Sequence, residues 1–147
     1  MKSFTRSLLH CLVLVAPWSH AAAADASLAG CWRAVKIVRH TQGAPKLEDR
    51  SGRCTLQFSE DQLASTCQTS AGTMTSTYRY RVVRPHVYEA TMTGSTFKTD
   101  LIGSRREYEF HVDGDRLVTT TQLQSTSATP ASSGVRVETE AARTPCP

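Results

Sequence analysis

Cys54-Thr55-Leu56-Gln57-Phe58-Ser59-Glu60-Asp61-Gln62-Leu63-Ala64-Ser65-Thr66-Cys67 is the stretch from which the fold can be worked out. Cys54, Leu56 and Phe58 alternate with polar residues on one side, and Leu63, Ser65 and Cys67 alternate on the other. The polar Ser59-Glu60-Asp61-Gln62 lies between them. A period of two flanking a polar turn is the pattern of a β-hairpin. A turn centred between Glu60 and Asp61 sets Phe58 opposite Leu63, Leu56 opposite Ser65 and Cys54 opposite Cys67. Directly opposed residues lie about 4.5–5.5 Å apart at Cα, within reach of a disulfide. A slip of one residue would lose the match, so the spacing predicts Cys54–Cys67.

A disulfide needs an oxidising compartment, and the N-terminus supplies the route to one. Met1 to Ser7 carries Lys2 and Arg6 and no acid, Leu8 to Trp18 is largely apolar, and Ala21-Ala22-Ala23-Ala24 offers small residues for cleavage. These are the three parts of a secretory signal peptide. Residues 1–24 are therefore expected to be removed, leaving 25–147 as one domain, periplasmic or secreted. The apolar run of 11 residues is too short to cross a bilayer as a helix, which takes roughly 20. No membrane span is expected. Cys11 follows His10 inside the apolar run, where a lipid-attachment site would need a small residue. The basic residues are mostly Arg and the chain has no Asn, a bias that fits a GC-rich bacterial genome and leaves no N-glycosylation acceptor.

Of the four cysteines past the signal, Cys31 and Cys146 remain. By elimination they bond to each other and tie the first strand to the C-terminal end. In the chain-entropy picture a loop that long contributes up to roughly 4.7 kcal/mol, against about 3 for the hairpin bridge. No C-x2-C pair occurs, which argues against both a zinc knuckle and a redox motif.

The remaining chain reads as strands. Trp32 to His40 is rich in Val and Ile; in Thr75 to Val83, Tyr78, Tyr80 and Val82 share one face. Val87 to Thr93 follows a break at Arg84-Pro85-His86, and a short strand is expected around Phe97 to Leu101. Tyr108, Phe110 and Val112 alternate with Glu107, Glu109 and His111 up to Asp113-Gly114-Asp115, a hairpin signal of the type I′ kind. Leu117 to Leu123 returns, Ser125 to Gly134 is Ser/Thr/Ala/Pro-rich and expected to be a mobile loop, and Val135 to Glu140 ends the series. No helical period competes. This is an all-β chain, and strands of this number form a sandwich or a closed barrel. A bond between first strand and C-terminus favours closure. The expected architecture is a small antiparallel up-and-down β-barrel of about eight strands with two disulfides.

Leu28-Ala29-Gly30-Cys31-Trp32 resembles the G-x-W element that opens lipocalin and wider calycin barrels. The resemblance implies that Gly30 and Trp32 are structural, with Trp32 plugging the closed end. It also implies that a basic residue near the end of the last strand packs over Trp32. Arg143 is the first candidate and Arg136 the second. Avidins share a similar opening, but their biotin site is lined by several Trp, and here only Trp32 follows the signal.

A lipocalin-like barrel implies a small apolar ligand held inside, and Tyr80, Tyr88 and Phe110 are the residues chosen to line such a cavity. The bacterial metalloprotease inhibitors also resemble this opening. The alternative is therefore a protein-binding module, an inhibitor of an exported hydrolase or an immunity protein, acting through Asp25 to Ala29 or the loops. A filled interior would exclude the carrier, while a cavity of ~300 Å3 or more would weigh against the inhibitor.

Other classes have little support. The net charge of +4 comes from scattered residues, so no nucleic-acid partner is expected. Arg79, Arg81 and Arg84 suit either a basic patch or a solvated sheet face. No G-x-S-x-G or H-E-x-x-H occurs, and no enzyme activity or cofactor is expected. His40, His86 and His111 are far apart in sequence, and no metal site is expected from them.

Overall fold

The computed structural model describes residues 25–123 and 134–147. The expected signal peptide and nearly all of the expected Ser125–Gly134 loop lie outside the described residues. The strands are β1 Gly30–His40, β2 Leu47–Asp49, β3 Cys54–Ser59, β4 Gln62–Thr69, β5 Gly72–Arg84, β6 Val87–Ser95, β7 Arg105–Asp113, β8 Arg116–Leu123 and β9 Val135–Thr144. From β3 to β9 each strand pairs antiparallel with the next, and β1 pairs with both β3 and β9, which closes the barrel. It is an eight-stranded up-and-down barrel with one extra strand. That strand, β2, lies further along the edge of β1 that β3 occupies, opposite Ile37 to Arg39. Its three residues are all exposed and carry no alternation, so the sequence offered no signal for it.

The hairpin register is the expected one. Phe58 faces Leu63, Leu56 faces Ser65 and Cys54 faces Cys67. Cys54 and Cys67 are bonded across 4.0 Å at Cα, and Cys31 and Cys146 across 5.2 Å. The β1–β9 ladder spans most of both strands with a bulge between Ala34 and Lys36. Strand β9 runs past Glu140 to Thr144 because Ala141 and Ala142 continue it, Ala141 being buried opposite Ala34. Small side chains there let the two strands close on a crowded end.

Two local expectations are corrected. Phe97 to Leu101 is a loop containing a single 3-10 turn, Thr99–Leu101. The Ser95 hydroxyl accepts from the Phe97 and Lys98 amides and turns the chain out of β6, leaving Phe97 about half exposed (47%). The turn between β7 and β8 has positive φ at Gly114 (56°) but not at Asp115, so it follows the II′ pattern rather than I′.

One end of the barrel is solid. Leu28, Trp32, Phe58, Tyr80, Tyr88, Phe110 and Leu117 form its core. Phe58, Tyr80 and Tyr88 meet edge to face with centroids 5.3, 5.7 and 5.8 Å apart, a preferred aromatic geometry. Removing the Cys31–Cys146 bond by substitution of both residues with Ala is expected to cost about 4–5 kcal/mol, and removing Cys54–Cys67 about 3 kcal/mol. Urea midpoints of the two double variants should fall in that order.

Candidate functional site

The plugged end is built where β1 and β9 pair. Strand β1 begins at Gly30 with φ 113°, a value suited to glycine. Trp32, fully buried, donates from Nε1 to the Leu28 carbonyl at 2.8 Å. Its register partner on β9 is Arg143, whose guanidinium lies 4.0 Å from the indole centroid. Arg143 also donates to the carbonyls of Ala29 (3.0 Å) and Ser27 (3.2 Å) and pairs with Asp115 at 3.4 Å. A Cβ at position 30 would meet its Nη1 at 3.1 Å. The N-terminal segment is thereby sewn into the plug, its turn closed by the Leu28 amide on the Asp25 carbonyl. Arg136, the other candidate, sits at the opposite end of β9 and pairs with Glu138 at 2.8 Å.

Above the core the barrel interior holds a cavity of about 210 Å3, walled by seven strands from β3 to β9. Leu56, Leu123 and Val137 give it apolar surface; Thr119, Thr121 and Thr139 give hydroxyls. Tyr78, Tyr88 and Tyr108 complete one side, with Tyr88 and Tyr108 stacked at 4.9 Å and 8° between planes. Burial raises the phenol pKa of both Tyr88 and Tyr108, opposed at Tyr108 by the Arg106 guanidinium two residues away. Both stay neutral near pH 7, able to donate a hydrogen bond. The surface also has larger depressions, but they lie between strands and loops on the outside and are lined mainly by charged or polar side chains.

Of the three residues chosen to line a cavity, Tyr88 borders this one. Tyr80 and Phe110 are not on its wall; both are buried in the solid core. Their strand faces point inward as read from alternation, but depth along the barrel axis, which separates plug from cavity, has no sequence signal. The Tyr80 hydroxyl is buried with no hydrogen-bond partner among the described residues. Tyr78 and Tyr108, the other wall tyrosines, share inner faces with Tyr80 and Phe110 and were findable only as members of those faces.

One flank of the cavity is loose. The β7–β8 ladder ends at Glu109 opposite Thr120, although both strands continue. Beyond it the Thr121 hydroxyl donates to the Glu107 carbonyl at 2.8 Å in place of a backbone pair.

Arg79, Arg81, Arg84 and Arg105 on the sheet exterior are ion-paired. Arg79 meets Asp61 (3.3 Å), Arg81 and Arg105 both meet Glu89 (3.1 and 3.3 Å), and Arg84 meets Glu107 (2.7 Å). This is the solvated-face alternative, with charge neutralised locally. Among the described residues no group of three or more His, Cys, Asp or Glu could hold a metal ion, and no helix is long and apolar enough to cross a membrane.

No protein-family model and no curated protein sequence matches the chain. Among solved structures it is similar to a lipocalin-like protein from Bacteroides uniformis, with TM-score 0.50, 10% identity, and 80% of this chain and 99% of that one covered. An uncharacterized protein from Bacteroides eggerthii (TM-score 0.48, 8% identity) and a de novo designed fluorescence-activating β-barrel (0.46, 17%) are each similar over 80% of the chain, with 99% and 94% of those chains covered. The fold is that of a lipocalin-like β-barrel.

Replacing Arg143 by Met is expected to cost about 1–3 kcal/mol, since it removes a cation–π contact and uncovers two carbonyls. Lys at this position should recover little of it, because an ammonium cannot stack on the indole and fork to both carbonyls. Chemical denaturation of the two variants checks this. On the outer face, the hydrogen bond from Lys36 and then that from Arg116, both at 3.1 Å, hold the Glu140 carboxyl below its usual 4.5. A lowered folded-state pKa adds stability above the unfolded value, which is lost as pH falls through 4.5 and below. Urea midpoints measured from about pH 6 to pH 3 should therefore fall less steeply in Glu140→Gln than in the wild type.

Proposed function

We propose that this chain is an exported binder of a compact, largely apolar small molecule held in the cavity above the Trp32 plug. The observation that carries the reading is the half-open space of about 210 Å3 inside the barrel, with an aliphatic, aromatic and hydroxyl lining. Ligand pockets are characteristically apolar with a few convergent polar groups, and here the polar groups are the three threonines and the neutral phenols. The volume is below the ~300–1,000 Å3 of sites for drug-sized ligands, which favours a single ring or a short chain. Export is supported by the predicted signal peptide and by two disulfides in a chain of this size.

The protein-binding alternative keeps one specific support. Phe97 and Ile102, both 47% exposed, stand on the β6–β7 loop at the open end, and a cavity under ~300 Å3 does not weigh against it. Its N-terminal version is disfavoured, because Arg143 and Trp32 occupy the carbonyls of the Asp25 to Ala29 segment.

Native mass spectrometry of the mature protein, purified from cells that export it, is expected to yield a small adduct that denaturation removes. Thr139→Phe, which fills the cavity from β9, should lose that adduct while keeping the barrel's circular dichroism. A bare mass in the wild type, or an adduct that survives in the filled variant, would overturn the interior site.

A further inference from the structure

We propose that His86 and His111 form a two-imidazole binding site for a divalent transition-metal ion on the outside of the plugged end. Of the three histidines past the signal, the fold brings these two together, with ring centroids 6.1 Å apart and planes tilted by 48°. His40 belongs to the other end of the barrel, 3.8 Å from Glu138. Metal–imidazole bonds of about 2.0–2.1 Å place two rings sharing one ion with centroids roughly 5–6 Å apart. The 6.1 Å between the two rings lies at the upper edge of that range. Both residues are exposed, and no hydrogen bond or ion pair occupies either ring among the described residues.

The backbone supports the pairing. Arg84 and Val87 flank a two-residue turn of Pro85 and His86, and His86 has φ 60°, alone among the described non-glycine residues in being positive. Proline followed by a positive φ is the type II pattern, whose second position glycine fills without strain. Here an imidazole stands there instead, and its ring packs 6.0 Å from Phe110. The His86 carbonyl accepts from the Phe110 amide at 2.8 Å, which fastens the turn to β7 beside His111. An unusual conformation held by the surrounding structure and carrying a ligating side chain is a pointer to a site.

The shallow depression that both rings border includes Glu109, which supplies negative charge to the site. Two nitrogen ligands with open positions leave water to complete the coordination. For imidazole ligands the order of affinity places Cu2+ above Ni2+ and Zn2+. The site is independent of the interior cavity, from which the plug separates it.

Titration of the mature chain with CuCl2, followed by calorimetry and by electron paramagnetic resonance, tests the proposal. One Cu2+ per chain with two-nitrogen hyperfine structure is expected, bound more tightly than Zn2+. Loss of partners that only orient a ligand weakens metal binding roughly 10- to 100-fold, so loss of a ligand should cost at least about tenfold. His86→Asn and His111→Gln should each have that effect. Asn tolerates positive φ and position 111 is an exposed strand site, so both variants keep the fold. His40→Gln should bind as the wild type does. Absence of Cu2+ binding, or binding unchanged in both His86→Asn and His111→Gln, would overturn the site.

Discussion

The contact between Arg143 and Trp32 is the constraint on which the rest of the barrel depends. It joins the first and last strands through side chains at the point where their backbones also pair. A planar cation covers the indole face and satisfies two carbonyls of the entering segment, and an apolar residue could do the first but not the second. The glycine before it follows from the same contact: φ 113° and a Cβ position 3.1 Å from the guanidinium leave no comfortable place for a side chain. With that end filled, open volume can exist only toward the other.

The chain then divides by height. Near the plug, aromatic rings meet edge to face and leave no space; above them, Thr119, Thr121 and Thr139 follow the core residues Leu117 and Ala141 on β8 and β9, and a cavity opens. Thr119 and Thr121 are as short as the site needs, and their hydroxyls keep a nearly buried surface wettable. The short β7–β8 ladder belongs to the same region, so the wall is least continuous where it encloses the least protein.

Strand faces were legible because alternation is local, and the hairpin register was legible because a disulfide admits one pairing. Trp32 and Arg143 were legible through a family resemblance. What escaped depends on the third dimension of the barrel. Tyr80 and Tyr78 are two residues apart on one inner face, yet one packs in the plug and the other borders the cavity. The meeting of His86 with His111 needs a turn on one hairpin to reach the outer face of the next strand, a proximity that spacing does not encode. Nor does counting arginines reveal that Arg81 and Arg105 share one carboxylate.

The bond between Cys31 and Cys146 has a mechanical meaning. Residues 31 to 146 form a covalent ring around which the barrel is wrapped. Tension applied through the segments outside that ring passes across the sulfurs and bypasses the hydrogen-bonded ladders. A machine that unravels proteins by tugging at an end would meet a knot-like stop at the first cysteine, while a reductant would convert the same molecule into one that can be drawn out strand by strand.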